Sequence, residues 1–228
     1  SVAILVGDLA LVYAEDMFQD SGLSAAALHR ARSPWRGMRT EVIGGQLLDI
    51  SLEAAGSESV ELANSVNRYK TAAYTIERPL HLGAAIAGAS EELIAAFRGY
   101  GHDIGIAYQL RDDQLGVFGD PAVTGKPAGD DLREGKRTEL LALALQRADE
   151  SDPQAAATLR KLIGHTSDPQ ELSRLAQIIA DSGAPEEIER RIDSLTQSGL
   201  QHLRAAQVDP TVTETLEQLA IKATARRK

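Results

Sequence analysis

Apolar residues recur at spacings of three and four along nearly the whole of this 228-residue chain, and strand-like alternation is almost absent. That period belongs to the amphipathic helix and not to the half-buried strand. The chain is therefore expected to be all-α. Hydrophobic residues make up 43% of the sequence. Many are Ala and Leu, which fill a core at little cost in helix propensity.

Helix starts are marked where Asp precedes Pro, at Asp152-Pro153, Asp168-Pro169 and Asp209-Pro210. There Asp can cap the free amides and Pro fits the first turn. Asp168 through Glu171 also has the spacing of a capping box. The pattern predicts helices over Val2–Gln19, Ser24–Leu52, Ser57–Ala87, Ser90–Phe118, Thr138–Ala148, Pro153–Ile163, Pro169–Ser182, Pro185–Ala205 and Pro210–Arg226. Pro79 should kink the third of these, because it lacks an amide donor and crowds the preceding turn. No repeat, low-complexity tract or linker interrupts the chain, so one domain over residues 1–228 is expected. Gly119–Arg137 is the one long irregular stretch, and such a segment inside a helical domain is usually functional.

The formal net charge of −9 argues against a nucleic-acid partner, which would need a clustered basic face. With no cysteine, thiolate metal sites and cysteine nucleophiles are excluded, leaving oxygen ligands and hard cations. No apolar run approaches the ~20 residues of a membrane span, and nothing at the start has the form of a signal peptide. The chain opens in mid-helix by its pattern, which leads us to expect that upstream sequence is missing.

Four clusters carry chemistry. Gln109, Asp112, Asp113 and Gly116 fall at i, i+3, i+4 and i+7, on one helix face. Adjacent acids near a buried helix end raise their own pKa or recruit a cation, and Mg²⁺ is the natural counter-charge; a solvated acidic face is the competing reading. The following loop alternates glycines with Lys126, Arg133, Lys136 and Arg137, the composition of an anion clamp; a surface loop with ordinary charges competes with it. A Walker A loop is excluded, because Gly119 to Gly125 is one residue too long and Pro127 stands where Ser or Thr should follow Lys126. Lys70, Thr71 and Tyr74 share the face of an otherwise apolar helix, so Lys70 either snorkels to solvent or meets an anion. Finally, Gln46 and Asp49 lie three apart beside the Gly44-Gly45 pair, which permits close helix packing.

Together these segments resemble the trans-isoprenyl diphosphate synthases. Gln109-Leu-Arg-Asp-Asp113, Asp120 to Lys126 and Gly135-Lys-Arg-Thr138 are similar to that family's second aspartate-rich motif and following loop. Tyr69-Lys70-Thr71 resembles its Lys-Thr diphosphate motif, Gly45-Gln46-Leu-Leu-Asp49 its Gly-Gln-x-x-Asp helix, and Ile4 to Asp8 the helix that follows the first aspartate-rich motif. The resemblance is close over residues 1 to about 140, and implies the helical bundle of the isoprenoid synthases.

What the resemblance implies is condensation of an allylic diphosphate with isopentenyl diphosphate through a carbocation, with Mg²⁺ as cofactor. Asp112 would bind the metal directly, and Asp113 would bind it or orient its water. Lys70 and Lys126 would contact the leaving diphosphate, with Lys136 behind them. Thr71 and Gln109 would face the developing cation, and Tyr74 would line the cavity. A cytoplasmic homodimer paired through Val2–Gln19 and Ser24–Leu52 is expected, with geranylgeranyl diphosphate as product. A non-catalytic partner subunit or truncated form, and a helical terpene cyclase, are the alternatives. Two departures stand out. The family's second motif commonly reads Asp-Asp-x-x-Asp, and Gly116 occupies its last position here, so Asp130 or Asp131 is a candidate further carboxylate. The first aspartate-rich motif and the isopentenyl diphosphate site would lie upstream of residue 1.

Overall fold

The structure, a computed structural model, describes residues 2–125, 127–206 and 208–225. It is helical, with no strand among the described residues. In chain order the helices are α1 (Val2–Gln19), α2 (Ala25–Ala55), α3 (Val60–Val66), a π-helical tract (Asn67–Glu77), α4 (Arg78–Ala87), α5 (Glu91–Phe118), α6 (Pro121–Thr124), α7 (Asp130–Glu134), α8 (Glu139–Ser151), α9 (Pro153–Leu162), α10 (Pro169–Asp181), α11 (Ala184–Ala205) and α12 (Pro210–Thr224).

Most starts follow the capping logic of the sequence. Side-chain oxygens of Ser24, Ser90, Thr138, Asp152, Asp168 and Asp209 each accept a backbone N–H of the first turn, satisfying donors that the helix cannot pair internally. The capping box at Asp168 is not closed directly. Thr166 Oγ1 accepts the Asp168 amide at 3.1 Å and donates to Glu171, so a hydroxyl relays what the carboxylate was expected to do itself.

Two expectations are corrected, over Ser57–Ala87 and Gly119–Arg137. Ser57–Ala87 is not one α-helix kinked at Pro79; an eleven-residue π-helical tract joins α3 to α4, and Pro79 is the second residue of α4. Pro34 lies inside α2 without ending it. Gly119–Arg137 is not wholly irregular, since α6 and α7 form within it, each closed by a glycine at positive φ, Gly125 and Gly135.

Helix α5 is the axis. Its Gly101 and Gly105, one turn apart, bring its backbone against the π-helical tract; a Cβ on Gly105 would lie 2.5 Å from Ala72 Cα. On its other side α11 crosses, with Gly199 against Ile104. Around the lower half of α5 the main core gathers Leu110, Leu140, Leu145, Leu159, Leu175 and Ile188, all buried. Each such side chain contributes roughly 1.5–3 kcal/mol. A second cluster joins Tyr100 and Ile104 to Leu203 and Ala220, and the Tyr100 hydroxyl donates to the Leu216 carbonyl at 2.7 Å. By contrast, α1 has no buried residue. It is tied to α2 near its end, where Phe18 stacks on Trp35 at 4.8 Å and Glu15 accepts from the Trp35 indole at 2.7 Å and pairs with Arg39 at 2.5 Å.

Candidate functional site

A pocket of about 210 Å³ opens where the π-helical tract, the polar end of α5 and the segment entering α8 converge. Asp49, Lys70, Thr71, Gln109, Asp112, Asp113, Lys136, Arg137 and Thr138 reach it. Residues from four separate stretches of sequence are thus brought to one wall. Close packing permits it: Gly45 is buried, and a Cβ there would lie 2.4 Å from the Lys70 amide nitrogen. Gly44 meets nothing and is exposed, so only one member of the glycine pair serves packing.

A hydrogen-bonded line crosses the wall. Thr71 Oγ1 donates to Gln109 Oε1 at 2.8 Å, and Gln109 Nε2 donates to Asp113 Oδ1 at 2.7 Å. The other Asp113 oxygen, Oδ2, is buried without a hydrogen-bond partner. Burial pushes the Asp113 carboxyl up to about 8; the Gln109 amide opposes the shift, while Asp131 and Asp112 add to it. Lys136 donates to Asp131 Oδ1 at 2.5 Å, and against the opposing effect of burial that partner raises its pKa.

Lys70 is paired here with Asp49, 21 positions earlier in sequence, so the weaker Gln46/Asp49 cluster joins the Lys70 cluster at one place. Gln46 is exposed and does not reach the pocket. Tyr74 is 49% exposed and does not line the pocket either. Its placement beside Lys70 and Thr71 assumed an α-helical turn, and the wider π turn rotates it away. Arg133 turns back to pair with Asp130, away from the pocket. Lys126 lies outside the described residues.

Asn67 was given no role by sequence reasoning. It is buried, lines the pocket and leaves its Nδ2 unpartnered. Its position one helical turn before Lys70 is the only signal that could have pointed to it. Arg137, one of the loop's basic residues, also lines the pocket with a buried, unpartnered Nε. Just beyond, Glu139 is fully buried at the start of α8, with Oε2 unpartnered and its pair to Arg191 as the balancing charge. Burial pushes this carboxyl up to about 7, against the pull of Arg191. Arg191 in turn donates to Asn64 Oδ1 at 3.1 Å, linking α11 to α3.

Asp112 and Asp113 offer hard oxygen donors, and the unpartnered Asp113 Oδ2 fits a hard divalent cation such as Mg²⁺. Among the described residues no three His, Cys, Asp or Glu side chains converge to ligate an ion by themselves. The wall can therefore provide two carboxylates on one side of a cation, with amine and guanidinium groups beside them for an anionic ligand. Among the described residues no helix is long and apolar enough to cross a membrane.

Comparison with known proteins gives a consistent result. A sequence model of the polyprenyl synthetase family matches residues 1–181. A crystal structure described as geranylgeranyl pyrophosphate synthase from Corynebacterium glutamicum, complexed with isoprenyl diphosphate and magnesium, superposes with a TM-score of 0.97 at 65% identity. It covers all of this chain and 64% of its own. Among curated proteins, geranylfarnesyl diphosphate synthase of Aeropyrum pernix is 40% identical over 151 residues, 64% of this chain and 46% of that protein. The (2E,6E)-farnesyl diphosphate synthase of Mycobacterium bovis is 36% identical over 140 residues, 60% of this chain and 38% of that protein. The matched stretch thus spans less than half the length of each of these curated relatives.

Proposed function

This chain belongs to the polyprenyl synthetase family, and on that premise we propose that it is one isoprenoid synthase domain acting in head-to-tail prenyl transfer. The substrates are an allylic diphosphate and isopentenyl diphosphate. The observation that carries this reading is the convergence of Lys70, Thr71, Gln109, Asp112, Asp113 and Lys136 on one pocket wall.

The chemistry asks for charge stabilisation. Breaking the allylic C–O bond leaves a cation on carbon and negative charge on the departing diphosphate. Asp112 and Asp113 would hold Mg²⁺, which when bound would supply Lewis-acid neutralisation of that leaving group. Lys70, released from Asp49, meets the diphosphate as a point charge, and Lys136 and Arg137 stand beside it on the same wall; Lys126 is assigned to the same anion on the family resemblance. The Thr71–Gln109–Asp113 line holds the Gln109 amide in one orientation, directing its oxygen dipole at the developing cation. The isopentenyl double bond attacks that cation, and a proton leaves to the released diphosphate.

The relatives carry geranylgeranyl, geranylfarnesyl and farnesyl names. We assign geranylgeranyl diphosphate as product, on the 65% identity to the crystallised synthase. A cytoplasmic homodimer completes the proposal, with the exposed apolar residues of α1 and those of α2, Ile43, Leu47 and Ile50, as its contact face.

The test is product analysis with Mg²⁺ and an allylic diphosphate, with and without isopentenyl diphosphate. A longer prenyl diphosphate formed only when both are present is the expected result. Cyclised hydrocarbon from the allylic substrate alone would identify a terpene cyclase instead, and no turnover under any condition would leave a non-catalytic partner subunit or truncated form.

A further inference from the structure

Helix α4 buries little and is pinned at both ends. Of its ten residues only Ala84 and Ala85 are buried, with Leu80 packed in part against the second core cluster. Two guanidinium groups fasten it to α2. At its C-terminal end, Arg30 donates from Nε to the Ala85 carbonyl and from Nη2 to the Ile86 carbonyl, both at 2.8 Å. These are carbonyls that the helix cannot pair for itself. At its N-terminal end, Arg78 donates to both carboxylate oxygens of Glu41, from Nε at 2.7 Å and from Nη2. Gly37 of α2 leaves room for this fork, since a Cβ there would lie 3.2 Å from Arg78 Cζ.

One further contact completes the N-terminal fastening. Arg78 Nη1 lies 3.1 Å from His81 Nδ1, a turn further along α4. A guanidinium only donates, so Nδ1 accepts, and the imidazole is neutral with its proton on Nε2. Four charged groups surround the ring: Arg78 on its own helix, Glu41 on α2, Glu77 on the π-helical tract and Arg98 on α5. Both carboxylates are already committed to arginines, Glu41 to Arg78 and the buried Glu77 to Arg98 at 2.9 Å. A proton on Nδ1 would cancel the bond it accepts and set an imidazolium against Arg78.

We propose that His81 is a proton-operated catch for α4. Neutral, it accepts from Arg78 and steadies that guanidinium on Glu41; protonated at Nδ1, it gives up the bond and α4 loosens from α2. Because α4 runs on from the π-helical tract that carries Lys70, the anchoring of that rod becomes pH-dependent. The sign follows from the surroundings. Burial lowers the His81 pKa, Arg78 and Arg98 lower it further, and Glu77 and Glu41 oppose them. The closed helix thus resists a proton that the open state takes up near the ordinary histidine value of about 6.5. The catch holds fully above that pH, and its contribution is lost as pH falls below it.

The experiment is hydrogen exchange of the whole chain, read by mass spectrometry from about pH 8 to about pH 5, on either side of the ordinary histidine pKa. Rates are corrected for the intrinsic pH dependence of amide exchange. Protection of Arg78–Ala87 should fall by up to about tenfold per pH unit below about pH 6.5, the slope of one proton. Helix α10, which does not touch α4, should keep its protection. His81→Gln retains a neutral acceptor and should flatten the slope in α4 while leaving α10 as it was. A slope unchanged in His81→Gln, or one shared equally by α4 and α10, overturns the inference. Nitrogen-15 spectra of the imidazoles in the parent chain give a second readout that needs no variant. The Nε2–H tautomer of His81 at about pH 8 is expected, and the Nδ1–H tautomer there overturns the inference as well.

Discussion

Helices α1 and α11 invert the usual relation between composition and burial. The α1 sequence, Val-Ala-Ile-Leu-Val-Gly-Asp-Leu-Ala-Leu-Val-Tyr onward, is apolar on most of its circumference, yet none of its residues is buried. Helix α11 is crowded with Glu, Arg and Gln, yet Ile188, Ile192 and Leu203 are buried to 1% or less. A narrow apolar stripe is enough when it matches a neighbour, and α11 lays its stripe along α5. A helix that is apolar nearly all round asks for neighbours on several sides, and α1 meets one, near its end. Burial is a property of the pair of surfaces; composition only sets what a helix could bury.

The contrast can be broken most directly by truncating one residue of each kind. Leu175→Ala, at a site with no exposure, should cost about 2–5 kcal/mol in urea unfolding; a loss below 1 kcal/mol would mean that the packed half is looser than its geometry. Next in size is the polar end of α5. Asp112→Asn should lower turnover about 10²–10³-fold, the scale of deleting one preorganised electrostatic group, while the unfolding midpoint stays put. A matching fall in stability would reassign Asp112 to the core.

Glu139 sharpens the comparison through pH. Its carboxyl stands raised to about 7 in the fold, so it holds a proton that the unfolded chain has already released at neutral pH. The native state therefore binds more protons, and stability falls as pH rises from the ordinary carboxylate range through about 7. The slope from this one group is at most about 1.4 kcal/mol per pH unit. Glu139→Gln should flatten that part of the profile, and a profile unchanged by the substitution would show that the buried carboxyl is ionised throughout. The smallest effect belongs to α1. Leu5→Ala, at a residue 67% exposed, should change unfolding by no more than about 0.5 kcal/mol, yet weaken self-association in sedimentation. A core-sized penalty in the isolated chain would erase the distinction between the two helices.

The all-helical class and most helix limits were legible because a 3.6-residue period and Asp-Pro caps repeat over many turns. Short elements escape that reading: α6 and α7 have four and five residues, too few to display a period. The π-helical tract escapes for another reason, since bonds reaching one residue further leave no mark in residue type. That is why Tyr74 was placed beside Thr71. The residues of the wall were legible individually, Asp112, Asp113, Gln109, Lys70 and Lys136 among them. Their pairing was not, because the Lys70–Asp49 contact depends on how helices distant in sequence come to rest.

The π-helical tract has one more consequence, which concerns chain length. In Asn67–Glu77 the backbone bonds span one residue more than in an α-helix, as the Arg78 amide reaching the Ala73 carbonyl shows. Lys70 near one end faces the pocket, while Ile76 at the other packs on the second core cluster. Their relative azimuth is set by how many residues lie between them. Relaxing the tract to α-helical winding with all its residues kept would turn Ile76 against Lys70 by roughly 110°, and deleting one residue would offset nearly all of that turn. The winding of the rod and the number of residues in it are therefore tied together: one residue more or less between wall and core can be taken up by a change of winding, independently of what those residues are.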